Sequence, residues 1–279
     1  MAIRIITDST CDITREDQEH FNIKVIPLTV NFPDASYEDG VDISNEEFFA
    51  KLETCKVLPT TSSIAPQTFT NAFKEVLDAG DEVVGIFISS EISGTYHAAC
   101  MAKDALESDR IHLVDSRNTT LAMALLVYEA AKNRDEGMPA AEIAEHIRSL
   151  TPKVRLMAMV STLKYLHKGG RLSLTSAVIG EVLGIKPIAS IVDGKVASIG
   201  KARGIPATFK TMLQKALDDL PDMRYGFTFG HICAPELFEK FVDYMKDPLQ
   251  ITEWFTCNIG CIVGTHTGKG AVGFAYIAV

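Results

Sequence analysis

The first half of the chain alternates β-branched apolar runs with amphipathic stretches, and that alternation limits the fold more than any other feature. Runs at 3–7, 23–30, 83–89 and 111–115 read as strands. Between them, 13–21, 66–77, about 94–106 and 119–133 carry helical patterns. Pro66 is suited to the first turn of a helix, with Phe69, Phe73 and Leu77 following at helical spacing. Ser44 and Glu47 form a capping-box pattern ahead of Phe48 and Phe49. This βαβα rhythm calls for a parallel sheet covered on both faces.

The amphipathic stretch 141–150 ends at Thr151 and Pro152, the expected domain junction. Beyond it come a strand at 156–161, the loop Lys168-Gly169-Gly170-Arg171 and an apolar helix at 177–183. Runs at 188–192 and 196–199 flank Asp193-Gly194, a strong hairpin signal. A helix at 207–217, a strand at 226–232, a helix at 235–245 and strands near 251–256 and 271–279 complete the pattern. The expected fold class is α/β, with two α/β domains, 1–152 and 153–279, and a ligand-holding cleft between them.

At 279 residues and 47% hydrophobic, the chain supports a large core without staples. Its six cysteines are scattered, and Cys257 and Cys261 form a C-x3-C with no second pair, so reduced thiols are expected rather than zinc or disulfides. A net charge of −9 argues against nucleic-acid or anionic-membrane partners. Met1 leads almost directly into strand-like sequence, leaving no room for a signal peptide, and the apolar run 174–192 is interrupted by Glu181 and Lys186. A soluble, cytoplasmic protein without an integral membrane segment is expected.

Three hydroxyl-rich segments stand out as candidate ligand turns: Thr61-Ser62-Ser63, Ser93-Gly94-Thr95 and Thr265-His266-Thr267-Gly268. Hydroxyls and exposed backbone N–H groups suit a small anionic head group, and no acidic cluster accompanies them as metal-dependent chemistry would require. The segment Gly264–Gly270 fails as a phosphate loop, with three residues between its first two glycines and Gly270 after Lys269. It reads as a glycine-rich turn between strands, in which His266 can donate to a carboxylate or phosphate oxygen. Ser93 lacks the G-x-S-x-G elbow, yet a hydrolase triad of Ser93, His266 and Asp115 is an alternative to binding.

Seven segments together resemble the DegV family: I-T-D-S-T at 6–10, T-S at 61–62, I-S-G-T at 92–95, V-D-S at 114–116, K-G-G-R at 168–171, G-K-A-R at 200–203 and H-T-G at 266–268. The chain is similar to the fatty-acid-binding subunits of the bacterial fatty acid kinase system. The resemblance implies a Rossmann-like N-terminal domain, a second α/β domain and a tunnel holding one long-chain fatty acid, such as palmitate or oleate. It implies a non-catalytic carrier without cofactor or metal that presents the carboxylate to an ATP-dependent kinase for acyl-phosphate formation. A lipid-sensing regulatory module is the further alternative.

By the same resemblance, Thr61 or Ser62, Ser93 and His266 bind the carboxylate, with Gly94, Thr95, Thr267 and Gly268 in the same motifs. Arg203 matches a kinase-docking position, with Lys201 and Arg171 as basic companions. Where the family continues Q-P-S-P, this chain reads Ser63-Ile64-Ala65-Pro66, which offers Ile64 as a wall beside the head group. The helices at 69–77 and 177–183 are candidate tunnel walls.

Overall fold

Burial decides the centre of the molecule. Apart from Lys132 and the terminal residues, helix Thr120–Asp135 is buried on every side, so it must lie inside the protein rather than over a sheet. Around it the computed structural model, which describes residues 1–173 and 183–279, arranges an α/β fold of three sheets.

The N-terminal half begins with β1 (Ile3–Asp8), α1 (Arg15–His20), β2 (Ile23–Ile26), β3 (Thr29–Asn31), β4 (Ser36–Glu38), α2 (Asn45–Thr54) and β5 (Thr60–Ser62). It continues with α3 (Pro66–Asp78), β6 (Glu82–Phe87), α4 (Thr95–Leu106), β7 (Ile111–Asp115), the buried α5 (Thr120–Asp135) and α6 (Ala140–Leu150). Strands β2-β1-β6-β7, in that order, form a wholly parallel sheet, as the alternating pattern requires. Phe69 and Phe73 of α3 are fully buried, and Phe69 meets Phe87 edge-on at 4.9 Å. Ser44 and Glu47 make both bonds of the capping box that starts α2.

One expected strand divides in two. The run 23–30 breaks at Pro27, which has no N–H to give a ladder. Its first part joins the parallel sheet, while β3 pairs with β4 and β5 in a small antiparallel sheet. Thr61 and Ser62 therefore sit on a strand, not in a turn.

The C-terminal half contributes β8 (Val154–Met159), α7 (Lys164–Lys168), β9 (Ile185–Val192), β10 (Lys195–Arg203), α8 (Ile205–Asp218), β11 (Thr228–His231), α9 (Pro235–Lys246), β12 (Phe255–Asn258), α10 (Cys261–Thr267) and β13 (Val272–Ile277). Its six strands are ordered β10-β9-β8-β13-β11-β12 and mostly antiparallel. The expected helix at 177–183 lies almost wholly outside the described residues. The β9–β10 hairpin turns at Asp193 and Gly194, whose φ values of 51° and 79° are those of a two-residue primed turn. Its tip docks on the first half: Ser89 Oγ donates to the Gly194 carbonyl at 2.7 Å and Arg117 Nη2 to that of Asp193.

The expected glycine-rich turn at 264–270 is largely helix. Residues 261–267 form α10, packed so closely that a Cβ on Gly264 would stand 2.6 Å from the Phe49 ring. The apolar core is continuous from the parallel sheet through α5 to β13, and a second cluster built on Phe209, Phe229, Phe241 and Phe274 lies under α8 and α9.

Candidate functional site

Beyond the C-terminal ends of β1, β6 and β7, where open parallel sheets usually bind ligands, lies a cavity of about 370 Å³. Thr10, Ile88 and Thr119, each following one of those strands, form part of its wall. Leu156, Ala158 and Val160 of β8 and the residue after it supply another side at the two-residue period of a strand. From α10 come Ile262, Val263 and His266, so the imidazole shares a helix face with an isoleucine four residues earlier. Most of the remaining wall is aliphatic, and of its polar side chains Thr61 and Arg171 act directly on His266.

His266 is positioned from both ends of its short helix. At the N-terminus, Gly260 N–H donates to Asp12 Oδ1 at 2.8 Å and Cys261 N–H to Asp39 Oδ1 at 3.1 Å. Carboxylates are favoured there by the helix dipole, though burial pushes both acids above their usual range. At the other end, His266 Nε2 lies 2.9 Å from Thr61 Oγ1, while Nδ1 is buried without a hydrogen-bond partner among the described residues. Burial, reinforced by the charge of Arg171, lowers the imidazole pKa to about 4, so the ring is neutral at neutral pH.

The loop Lys168-Gly169-Gly170-Arg171 makes room for that ring. A Cβ on Gly169 would fall onto His266 Nδ1, whereas Gly170 has open space but a φ of 68°. The first glycine is therefore needed for clearance and the second for backbone conformation. Arg171 lines the cavity and donates from Nη1 to the Gly169 carbonyl at 2.7 Å.

Eight of the singled-out residues line this one cavity: Thr61, Ser62, Ser63, Ser93, Gly94, Arg171, His266 and Thr267. Thr95 is buried behind the wall, its hydroxyl 2.9 Å from Ser93 Oγ. Gly268 ends α10, where its Cα faces the Tyr165 ring. Thr267 spends its hydroxyl on the Val263 carbonyl, and Ser62 Oγ accepts from Asn31 Nδ2. Lys201 and Arg203 are exposed on β10, away from the cavity.

Some expectations differ from the structure. Ile64 is buried but does not line the cavity. No residue of α3 lines it either, because Phe69 and Phe73 are turned into the core. Thr119, Thr120 and Ser190 belong to the wall and went unrecognised; the hydroxyl pair before an Ala/Leu-rich helix was the available signal for the first two.

Ser93, His266 and Asp115 do not form a hydrogen-bonded relay. Ser93 pairs with Thr95, His266 with Thr61, and Asp115 accepts from Ser90 Oγ at 2.5 Å and from Arg117 N at 2.9 Å. Among the described residues no group of three or more His, Cys, Asp or Glu is arranged to hold a metal ion, all six cysteines are free, and no helix is long and apolar enough to cross a membrane.

A second, more open cleft of about 820 Å³ adjoins the cavity, and Leu156, Ser190 and Ile191 line both. The sheet is open there: β8 pairs with β9 only at Ala158–Ala189 and Met159–Ile188, after which β9 pairs with β10 alone.

The family described as "Uncharacterised protein, DegV family" matches residues 2–279. A DegV domain-containing protein of Caldanaerobacter subterraneus subsp. tengcongensis is 35% identical over 274 residues, covering 97% of each chain. Another, from Clostridium acetobutylicum, is 35% identical over 279 residues, covering 99% of this chain and 98% of its own. Among solved structures, a DegV family protein from Thermus thermophilus described by its fatty acid binding superposes with a TM-score of 0.91 at 26% identity over 100% of both chains. A stearic-acid-binding protein from Eubacterium ventriosum gives 0.90 at 26% identity, over 100% of this chain and 98% of its own. DegV of Bacillus subtilis, described as a fatty acid binding protein, gives 0.85 at 28% identity over 100% of both. The chain belongs to the DegV family.

Proposed function

We propose that this protein is a non-catalytic carrier that holds one long-chain fatty acid and presents its carboxylate to a separate ATP-dependent kinase. The observation that carries the reading is the cavity itself, aliphatic for most of its wall, with His266, Thr61 and Arg171 together in its lining. The fatty acid binding described for the Thermus thermophilus, Eubacterium ventriosum and Bacillus subtilis proteins supports it. In this reading Ser93, His266 and Thr61 or Ser62 hold the carboxylate and Arg171 supplies the neighbouring positive charge.

The division of labour follows from magnitudes. About fifteen methylenes at ~0.8 kcal/mol each offer on the order of 12 kcal/mol of gross transfer energy. Hydrogen bonds at the head net ~1 kcal/mol each. The tail therefore supplies affinity, while the head groups fix orientation and discriminate against uncharged lipids. Lys201 and Arg203, exposed on β10, are the proposed kinase-docking charges. We read 1–152 and 153–279 as two domains and the cytoplasm as the site of action.

Solvent extraction of the purified protein followed by mass spectrometry tests the carrier reading. Fatty acid at close to one per chain is expected. A delipidated sample that takes up neither palmitate nor oleate overturns the reading. Acyl-phosphate formation with a partner kinase tests the presenting step separately.

A further inference from the structure

One carboxylate inside the molecule lacks a hydrogen-bond donor. Glu129, midway along α5, is 9% exposed. Its oxygens accept no hydrogen bond among the described residues, yet they are not sealed off from open space. The charged neighbour is His146, whose Nε2 lies 3.5 Å from Glu129 Oε1 and forms an ion pair only when protonated. A negative charge withdrawn from water without a full partner is costly, so a cation brought beside it is stabilised.

Glu129 faces a cavity of about 210 Å³ that shares no lining residue with the one containing His266. The other walls are largely aromatic. Tyr128 stacks on Phe255 with ring centroids 3.9 Å apart, and Phe21 packs edge-on against both. Tyr225, on the segment before β11, joins them in the lining. Lys132, on the same face of α5, is exposed and makes no ion pair with Glu129 among the described residues. Water and salt screen its charge far more than that of the buried carboxylate.

This lining selects the ligand. The volume falls below the ~300 Å³ at which sites for drug-sized molecules begin, so it suits a single head group. Aromatic rings and a buried carboxylate both attract positive charge. The Tyr128 hydroxyl is already donated to Asp17 Oδ2 at 2.7 Å, which leaves few acceptors for the three donors of a primary ammonium. A methylated ammonium carries its charge without donors and packs its methyl groups against the rings. We infer that this cavity is a second binding site, one that takes a quaternary ammonium head group such as that of choline, with Glu129 as its counter-ion. The inference stands apart from the carrier reading, because it uses no residue of the larger cavity.

Isothermal titration calorimetry of the intact protein with choline and tetramethylammonium tests the site, with methylammonium and ammonium as the less alkylated comparisons. Saturable binding of one cation per chain is expected, weakening as methyl groups are removed. Glu129→Gln should reduce affinity about thirtyfold. Tyr225→Ala should reduce it about fivefold, whereas Tyr225→Phe should retain it. Lys132→Met removes an opposing charge and should strengthen binding. Thermal melting establishes that each variant is folded. Tyr225 is only half-buried and Lys132 is exposed, so their variants decide the matter if Glu129→Gln does not fold. Co-sedimentation with phosphatidylcholine vesicles that is lost in Glu129→Gln places the head group on a lipid. Calorimetric binding without co-sedimentation places it on a free molecule, and either result supports the site. No saturable binding of choline or tetramethylammonium overturns the inference, as does ammonium binding as tightly as tetramethylammonium. Affinity unchanged by both Glu129→Gln and Tyr225→Ala overturns it as well. Palmitate uptake should be the same in all these variants, so failure of this site and failure of the carrier reading are read separately.

Discussion

The imidazole of His266 crowds the space that a side chain at Gly169 would fill: a Cβ there would stand only 2.3 Å from Nδ1. The glycine of one loop and the histidine of α10 are thus one steric unit, separated by almost a hundred residues in sequence.

Gly169→Ala should displace the ring and break its 2.9 Å contact with Thr61. The expected loss is about fivefold in fatty acid affinity, corresponding to one hydrogen bond. Gly170→Ala meets no neighbour but must hold a φ of 68°, at a cost of ~1 kcal/mol in stability. Fluorescent-probe displacement reads the first effect and thermal melting the second. Equal affinity losses in the two variants would contradict the assignment.

Binding should strengthen as pH falls from neutrality, for as long as the ligand's carboxyl stays ionised. The unliganded ring titrates near 4 because it is buried beside Arg171, and an anionic head group favours the imidazolium. A complex that raises the pKa takes up a proton between the bound and free values, so affinity increases through that window on acidification. His266→Gln should remove this dependence. Isothermal titration calorimetry in two buffers of different ionisation enthalpy measures the proton uptake directly, and no uptake by the wild type near pH 5 would refute the prediction.

Stability should fall as pH rises from about 4 to 6 through the contribution of Asp8. Burial raises its carboxyl from 3.8 to about 6, more than its bonds from Thr10 and the Ile88 N–H lower it. In that window the folded state binds more protons than the unfolded state, so rising pH disfavours folding, on the order of 2–3 kcal/mol in total for this group. His266 acts with the opposite sign, because its folded pKa is the lower one. Asp8→Asn should therefore melt with a more positive slope of Tm against pH than the wild type. An unchanged slope would show that Asp8 does not titrate in this range.

Chain length should be limited where the cavity meets the open seam between β8 and β9. Leu156 and Ile191 line both volumes there. Affinity is expected to grow by about fourfold per added methylene until the chain reaches these side chains. Leu156→Ala or Ile191→Ala should move the maximum to longer acids. A homologous series of saturated acids, measured against both variants, checks this; identical maxima in all three proteins would place the stop elsewhere.

Much of this was readable along the chain because it depends on local patterning. The period of apolar residues indicated α3, Ala/Leu-rich composition indicated α5, and Ser44 with Glu47 announced the start of α2. The parallel sheet followed from strands separated by helices, since parallel pairing needs long connections. The resemblance in seven short segments likewise needed only residue order.

Tertiary structure decided the rest. Glycines and hydroxyls at 264–270 suggested a turn, but packing against Phe48 and Phe49, with Asp12 and Asp39 at its N-terminus, makes 261–267 a helix. Thr60–Ser62 becomes a strand because β3 offers it a ladder. Whether a buried phenylalanine faces a cavity or the core, as with Phe69, depends on what packs against it, which periodicity does not specify. The neutral state of His266 arises from distant segments converging, since burial and electrostatic surroundings are properties of three-dimensional neighbours rather than chain neighbours.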